Sequence, residues 1–184
     1  MVRDREMQAF LDASALALRA SCRGAALRAA EVVIGRLGAV GSPGVAAARV
    51  PACDWVAVAL ARAEGPLARA FAALEGRLRW APRASSDGAF REGHANAVIL
   101  GPGGLEARDD LWIGVTVMAP GLRYVDHDHA PEEVYLSLTP GEWWNAEMDW
   151  TDPGPTGCIH NPPGISHAMR SGVGPLLALW YLPL

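Results

Sequence analysis

From Ala97 to Leu184 the chain is a run of short apolar segments: AVIL, LWIGVTVM, RYVDHDH, EVYLSL, EWWNAEMDW, CIHN, SHAMRS and PLLALWYL. Pro or Gly stands at nearly every junction. Segments broken this often cannot build long helices, and they predict antiparallel strands closing into a sandwich or barrel. Residues 1 to about 80 carry another periodicity. Met7, Phe10, Leu11, Leu18 and Cys22 recur at helical spacings and mark one stripe of a helix. Asp54 is a candidate N-cap for a second helical segment that runs to about Arg79. Leu60, Leu67, Phe71, Leu74 and Leu78 give that segment an apolar face, and Gly65-Pro66 is expected to kink or split it. The polar connection APRASSDGAFREGH separates the two patterns. The division predicts a mainly β protein, with a helical region over 1–80 packed on a small antiparallel barrel over 81–184.

A length of 184 residues, 51% of them hydrophobic, is enough for a sizeable core. The net charge of −4 and the absence of a basic cluster argue against a nucleic-acid partner. All sixteen basic residues are arginine, so lysine-based Schiff-base and general-base chemistry is excluded. Cys22, Cys53 and Cys158 are odd in number and far apart, and no disulfide framework is expected from them. The N-terminus MVRDREMQAF lacks the apolar run of a signal peptide, and no apolar stretch is long enough for a bilayer. The expectation is a cytoplasmic protein without a membrane partner, acting on a small molecule, with a homodimer as an option.

The chemistry concentrates in HDHAPEEVY, residues 127–135. His127 and His129 are two apart, so on a strand they share a face. Pro131 breaks the ladder. Glu133 then opens the next strand with Tyr135 on its face, while Val134, Leu136 and Leu138 take the apolar one. A further ligand is expected from NPPGISHAM, where the turn Pro162-x-Gly164 leads into His167. Three imidazoles and one carboxylate, His127, His129, Glu133 and His167, suit one divalent transition metal. The ligand types alone do not choose among Fe, Zn, Mn, Ni and Co.

These motifs resemble those of the cupin superfamily. Gly121, His127-x-His129, Glu133 and Gly141 follow the first cupin motif, with one residue more than usual before Gly141. Gly157, Pro162-x-Gly164 and His167 follow the second, with Ser171 where asparagine is usual. The resemblance covers about 97–184 and implies a small β-barrel with a metal inside. Tyr124, the HDHAPEEVY stretch, His167 and the helical extension together resemble the cupin-type dimethylsulfoniopropionate (DMSP) lyases. That resemblance implies a metal held by His129, Glu133 and His167, with His127 in or next to its sphere. It also implies a base at Tyr135 and a second tyrosine, Tyr124, lining the site.

The implied reaction is β-elimination of DMSP to dimethyl sulfide and acrylate. A tyrosine base working near pH 8 needs its pKa lowered from about 10, roughly 2.7 kcal/mol, which a neighbouring cation can supply. The sulfonium leaving group suits an aromatic surface. Trp180, Trp144 and Trp150 are the candidates for substrate binding, with Trp143 and Tyr181 also near the barrel. Tyr124 lies three residues before His127, so strict alternation turns it away from the metal unless a β-bulge intervenes. His160 reads as a second-layer or surface residue, and His94 has no assigned role. Two alternatives remain open: a cupin dioxygenase or isomerase acting on another small carboxylate, and a non-catalytic ligand-binding cupin.

Overall fold

The computed structural model describes residues 3–85 and 87–184. Helix α1 (Arg5–Ser21) begins where the Asp4 carboxylate accepts the Met7 N–H at 3.0 Å. Its stripe of Met7, Phe10, Leu11, Leu18 and the following Cys22 is fully buried. Helix α2 (Gly24–Arg36) follows, then a two-residue strand β1 (Ser42–Pro43). The next helical stretch is split as expected, into α3 (Asp54–Leu60) and α4 (Gly65–Leu74). Asp54 is not a cap. A 3-10 turn, Pro51–Cys53, runs directly into α3, and the Asp54 N–H already bonds to carbonyls of that turn. Cys53 therefore holds the cap position.

The β region begins at β2 (Trp80–Ala81), and α5 (Gly88–Gly93) interrupts it. It continues through β3 (His94–Leu100), β4 (Glu106–Ala107), β5 (Leu111–Met118), β6 (Arg123–His127) and β7 (Glu133–Ser137). EWWNAEMDW forms a hairpin of β8 (Glu142–Asn145) and β9 (Met148–Thr151). Strands β10 (Cys158–Asn161), β11 (His167–Arg170) and β12 (Leu176–Pro183) complete the chain. The larger sheet has the order β1-β4-β3-β5-β12-β7-β10, with β2 also paired to β3. The smaller has the order β6-β11-β8-β9.

Alternation along the larger sheet makes two cores. Ile113, Val115, Val117, Val134, Leu136, Leu177, Leu179 and Tyr181 turn one way and merge with the apolar faces of α1–α4. Met118, Tyr135, Leu176, Ala178 and Trp180 turn the other way, to meet Tyr124, Trp143 and Met169 of the smaller sheet. The helices thus seal one side of the larger sheet and leave the space between the sheets for the site. Tyr181 belongs to the helical side, where its hydroxyl bonds to Ser14 at 3.0 Å.

One expectation fails in this packing. Cys22 and Cys158 form a disulfide, with Cα atoms 5.4 Å apart across a sequence separation of 136. Only the docking of the α1 C-terminus against β10 brings them together, so their spacing carries no sign of it. Such bonds form in oxidising surroundings and are rare in a reducing cytosol. Cys53 stays free and buried. Among the described residues no helix is long and apolar enough to cross a membrane.

Candidate metal centre and substrate cavity

Three side chains converge between the sheets. His129, Glu133 and His167 offer ligand atoms that all lie within 4.8 Å of one another. Glu133 is the first residue of β7 and His167 the first of β11. Gly164, at φ 70°, makes the left-handed turn ahead of His167. Its N–H donates to the His129 carbonyl at 3.0 Å, joining the two loops. His129 is not on a strand. The β6–β11 ladder ends where His127 meets His167, so β6 stops at His127 and His129 reaches the site from the following loop.

The imidazoles are oriented by backbone. His129 Nδ1 bonds to the Pro131 carbonyl at 2.8 Å and His167 Nδ1 to the Ile165 carbonyl at 2.9 Å. A carbonyl only accepts, so both rings carry their proton on Nδ1 and present an Nε2 lone pair. Each Nε2 lies 3.4 Å from the same Glu133 oxygen. The buried Nε2 of His167 has no hydrogen-bond partner among the described residues. Two lone pairs and a carboxylate facing one point fit a divalent cation. Burial pushes the Glu133 carboxyl up, whereas positive charge at the His129 and His167 rings, when protonated, draws it down to about 2, and a bound cation acts in the same direction. The Glu133 carboxylate raises His129 in turn, by favouring the protonated ring.

Behind Glu133 stands a buried amide relay. Asn161 donates to the Glu133 carboxylate at 3.3 Å, and Asn145 donates to the Asn161 carbonyl oxygen at 3.1 Å. His127 stands beside the three-residue set rather than in it. Its ring centroid lies 4.1 Å from that of His167, and its Nδ1 bonds to the Val125 carbonyl. Burial and the neighbouring His167 lower it to about 4, so it is neutral at ordinary pH. His160 lies outside the set and contacts Glu132 at 3.1 Å.

A cavity of about 290 Å³ opens at this centre. Tyr135 and Tyr124 both line it. A bulge between β6 and β11 resolves the register conflict. His127 pairs with His167 while Tyr124 pairs with Met169, so three steps on β6 match two on β11. Tyr124 and His127 therefore face the same side, with ring centroids 4.6 Å apart. Burial raises the Tyr135 pKa well above 10, and the Glu133 charge, Tyr124 and a hydrogen bond to Glu133 push the same way.

Trp180 also lines the cavity. It sits opposite Gly114, where a Cβ would come within 2.3 Å of the indole. Trp144 and Trp150 do not line it. Trp144 follows the inward Trp143 on β8 and pairs with Ala168, and Trp150 is stacked beneath Arg170 and Arg123. Trp143 packs on Tyr135, with ring centroids 5.9 Å apart. Among the lining residues that the motifs do not single out are Trp112, Asn96, Thr116 and Arg83. Alternation along LWIGVTVM puts Trp112, Gly114 and Thr116 on one face and so marks two of them. No comparable pattern marks Arg83 or Asn96. A larger cleft of about 770 Å³, between Arg62 and Gly174, holds none of the metal set.

No curated protein matches the chain. Its residues 37–178 match the family model for dimethylsulfoniopropionate lyase. The structure resembles DMSP lyase DddQ from Ruegeria pomeroyi DSS-3, with 25% identity, a TM-score of 0.75, and coverage of 99% of this chain and 93% of that one. It also resembles a structure from work on the DMSP lyases RdDddP and RnDddQII, with 20% identity, a TM-score of 0.77, and coverage of 97% and 92%. A cupin-2 domain protein from Rhodospirillum rubrum matches over 58% of this chain and 69% of its own, at 15% identity and a TM-score of 0.48. The fold is a pair of antiparallel-rich sheets with an N-terminal helical region, shared with solved DMSP lyases over nearly the whole chain, and the chain belongs to the dimethylsulfoniopropionate lyase family.

Proposed function

We propose that the protein is a metal-dependent lyase that cleaves DMSP by β-elimination, with Tyr135 as general base. The observation that carries this reading is that the buried Tyr135 lines the same cavity as His129 and Glu133, on the same face of β7 as Glu133, in a chain matched by the family model. The likeness to a solved DMSP lyase over nearly the whole chain supports the substrate.

A divalent transition metal held by His129, Glu133 and His167 would supply positive charge that favours the Tyr135 phenolate and steadies charge building on the substrate carboxylate. Tyr135 Oη takes the proton from the carbon next to that carboxylate. The freed electron pair forms the carbon–carbon double bond, and the carbon–sulfur bond breaks. Sulfur leaves with the bonding pair as dimethyl sulfide, and acrylate remains. Tyr135 then gives its proton to water before the next turnover. Trp180 and Trp112, packed edge to face with centroids 5.6 Å apart, offer aromatic surface to the sulfonium. Neutral His127 adds no charge to repel it.

Purified protein reconstituted in turn with Fe, Mn, Ni, Co and Zn is expected to release dimethyl sulfide from DMSP, detected in headspace gas. Release with none of the five overturns the substrate. Tyr135→Phe is expected to lower turnover by about 10²–10⁴-fold while metal binding persists. Undiminished turnover in that variant overturns the base.

A further inference from the structure

We propose that Arg83, Asn96 and Tyr124 form a carboxylate-binding subsite on the cavity wall beside the metal centre, approached past Arg79. The subsite deepens the lyase reading and takes from it only the identity of the substrate.

The orientation of Asn96 starts the inference. Thr116 Oγ donates to Asn96 Oδ1 at 2.6 Å, and His94 Nε2 lies 3.2 Å from the same oxygen. An amide oxygen only accepts, so His94 donates through Nε2, and the Asn96 NH2 group is left to face the cavity. It points at the Tyr124 hydroxyl oxygen, 3.5 Å away. Arg83 donates to that same oxygen at 3.1 Å and lies over the Tyr124 ring.

A phenol oxygen has two lone pairs, and here both face N–H donors. The Tyr124 proton must go to a third group, and among the described residues none accepts it. Tyr124 O–H and the remaining N–H groups of Arg83 and Asn96 make a corner of donors only. The ligand group that satisfies such a corner is an anionic acceptor with two oxygens, and Arg is the residue suited to bind a carboxylate at both.

The approach to the corner carries the same sign, while the acidic residues Asp128 and Glu133 line the cavity that holds the metal set. Among the described residues neither Arg83 nor Arg79 is in an ion pair. A second cavity of about 310 Å³ shares Arg83 and Asn96 with the first, adds Arg79, and is lined by no acidic residue. On a chain of net charge −4 this is a local positive approach, which raises the encounter rate of anions. A cationic group is repelled from Arg83, so the subsite fixes the ligand end for end: carboxylate at Arg83, cation toward Trp112 and Trp180.

The test uses propionate and its neutral analogue propionamide, titrated into metal-loaded and metal-stripped protein and followed by the NMR signals of the Trp112 and Trp180 indoles. Arg83→Gln is expected to weaken propionate at least tenfold in both forms and to leave propionamide unchanged. Arg83→Lys, which keeps the charge, is expected to recover part of the loss. With DMSP, Arg83→Gln is expected to raise KM at least tenfold and to lower kcat by less than threefold. Equal propionate affinity in wild type and Arg83→Gln overturns the subsite, as does a wild type that does not bind propionate. Arg83-dependent propionate binding by a protein that does not cleave DMSP supports the subsite and sinks the lyase reading instead.

Discussion

The Glu133 oxygen that faces His129 and His167 also accepts the Asn161 amide. The direction of that bond is fixed from far off. The Glu147 backbone N–H donates to Asn145 Oδ1 at 3.0 Å, so the Asn145 NH2 must face Asn161 Oδ1, and the Asn161 NH2 must face Glu133. Partners of this kind hold a ligand in position, and their loss typically lowers metal affinity about 10–100-fold. Asn161→Ala is expected to lose affinity in that range, measured by chelator competition with Zn or Co, with unchanged circular dichroism. Wild-type affinity would show that the relay does not orient the carboxylate. Of the four ligands read from the sequence, three meet at one point. The spacing of His127 and His129 marks both alike, and only the end of the β6 ladder separates the ligand from its neighbour.

Strand β5 shows how an element shapes the cavity. Ile113, Val115 and Val117 bind it to the helical core, while Trp112, Gly114 and Thr116 face the site. Gly114 lies across from Trp180, and an added Cβ would sit 2.3 Å from its ring and 2.5 Å from the Ala97 carbonyl oxygen. The carbonyl belongs to paired backbone and cannot move freely, so the strain falls on the sheet. Gly114→Ala is expected to destabilise by about 1–3 kcal/mol, read as a lower urea midpoint. An unchanged midpoint would mean that Trp180 has room to swing aside. Element type is legible for the longer strands, because alternation and turn residues are local signals; the two-residue strands β2 and β4, the short helix α5 and the turn inside EWWNAEMDW carry no such signal. The bulge that turns Tyr124 toward the site is not legible either, because it arises from the match between β6 and β11.

At the scale of the whole molecule, the Cys22–Cys158 bond ties the first helix to β10, the strand that also carries Asn161. A link across 136 residues restricts the unfolded chain, and removing such a bond commonly costs about 2–5 kcal/mol. Reduction, or Cys22→Ser, is expected to lower the thermal midpoint; identical midpoints with and without reductant would sink that expectation. The sequence by itself determined the change from helix to strand near residue 81, the buried stripe of α1, and the set of His129, Glu133 and His167. Each of these rests on periodicity or on a turn that a few neighbouring residues specify. Tertiary structure alone decided the disulfide, the exclusion of Trp144 and Trp150 from the cavity, and the meeting of Arg83 with Asn96 and Tyr124. Those depend on which elements dock against which, and docking is set by the summed burial of many side chains that no local spacing records.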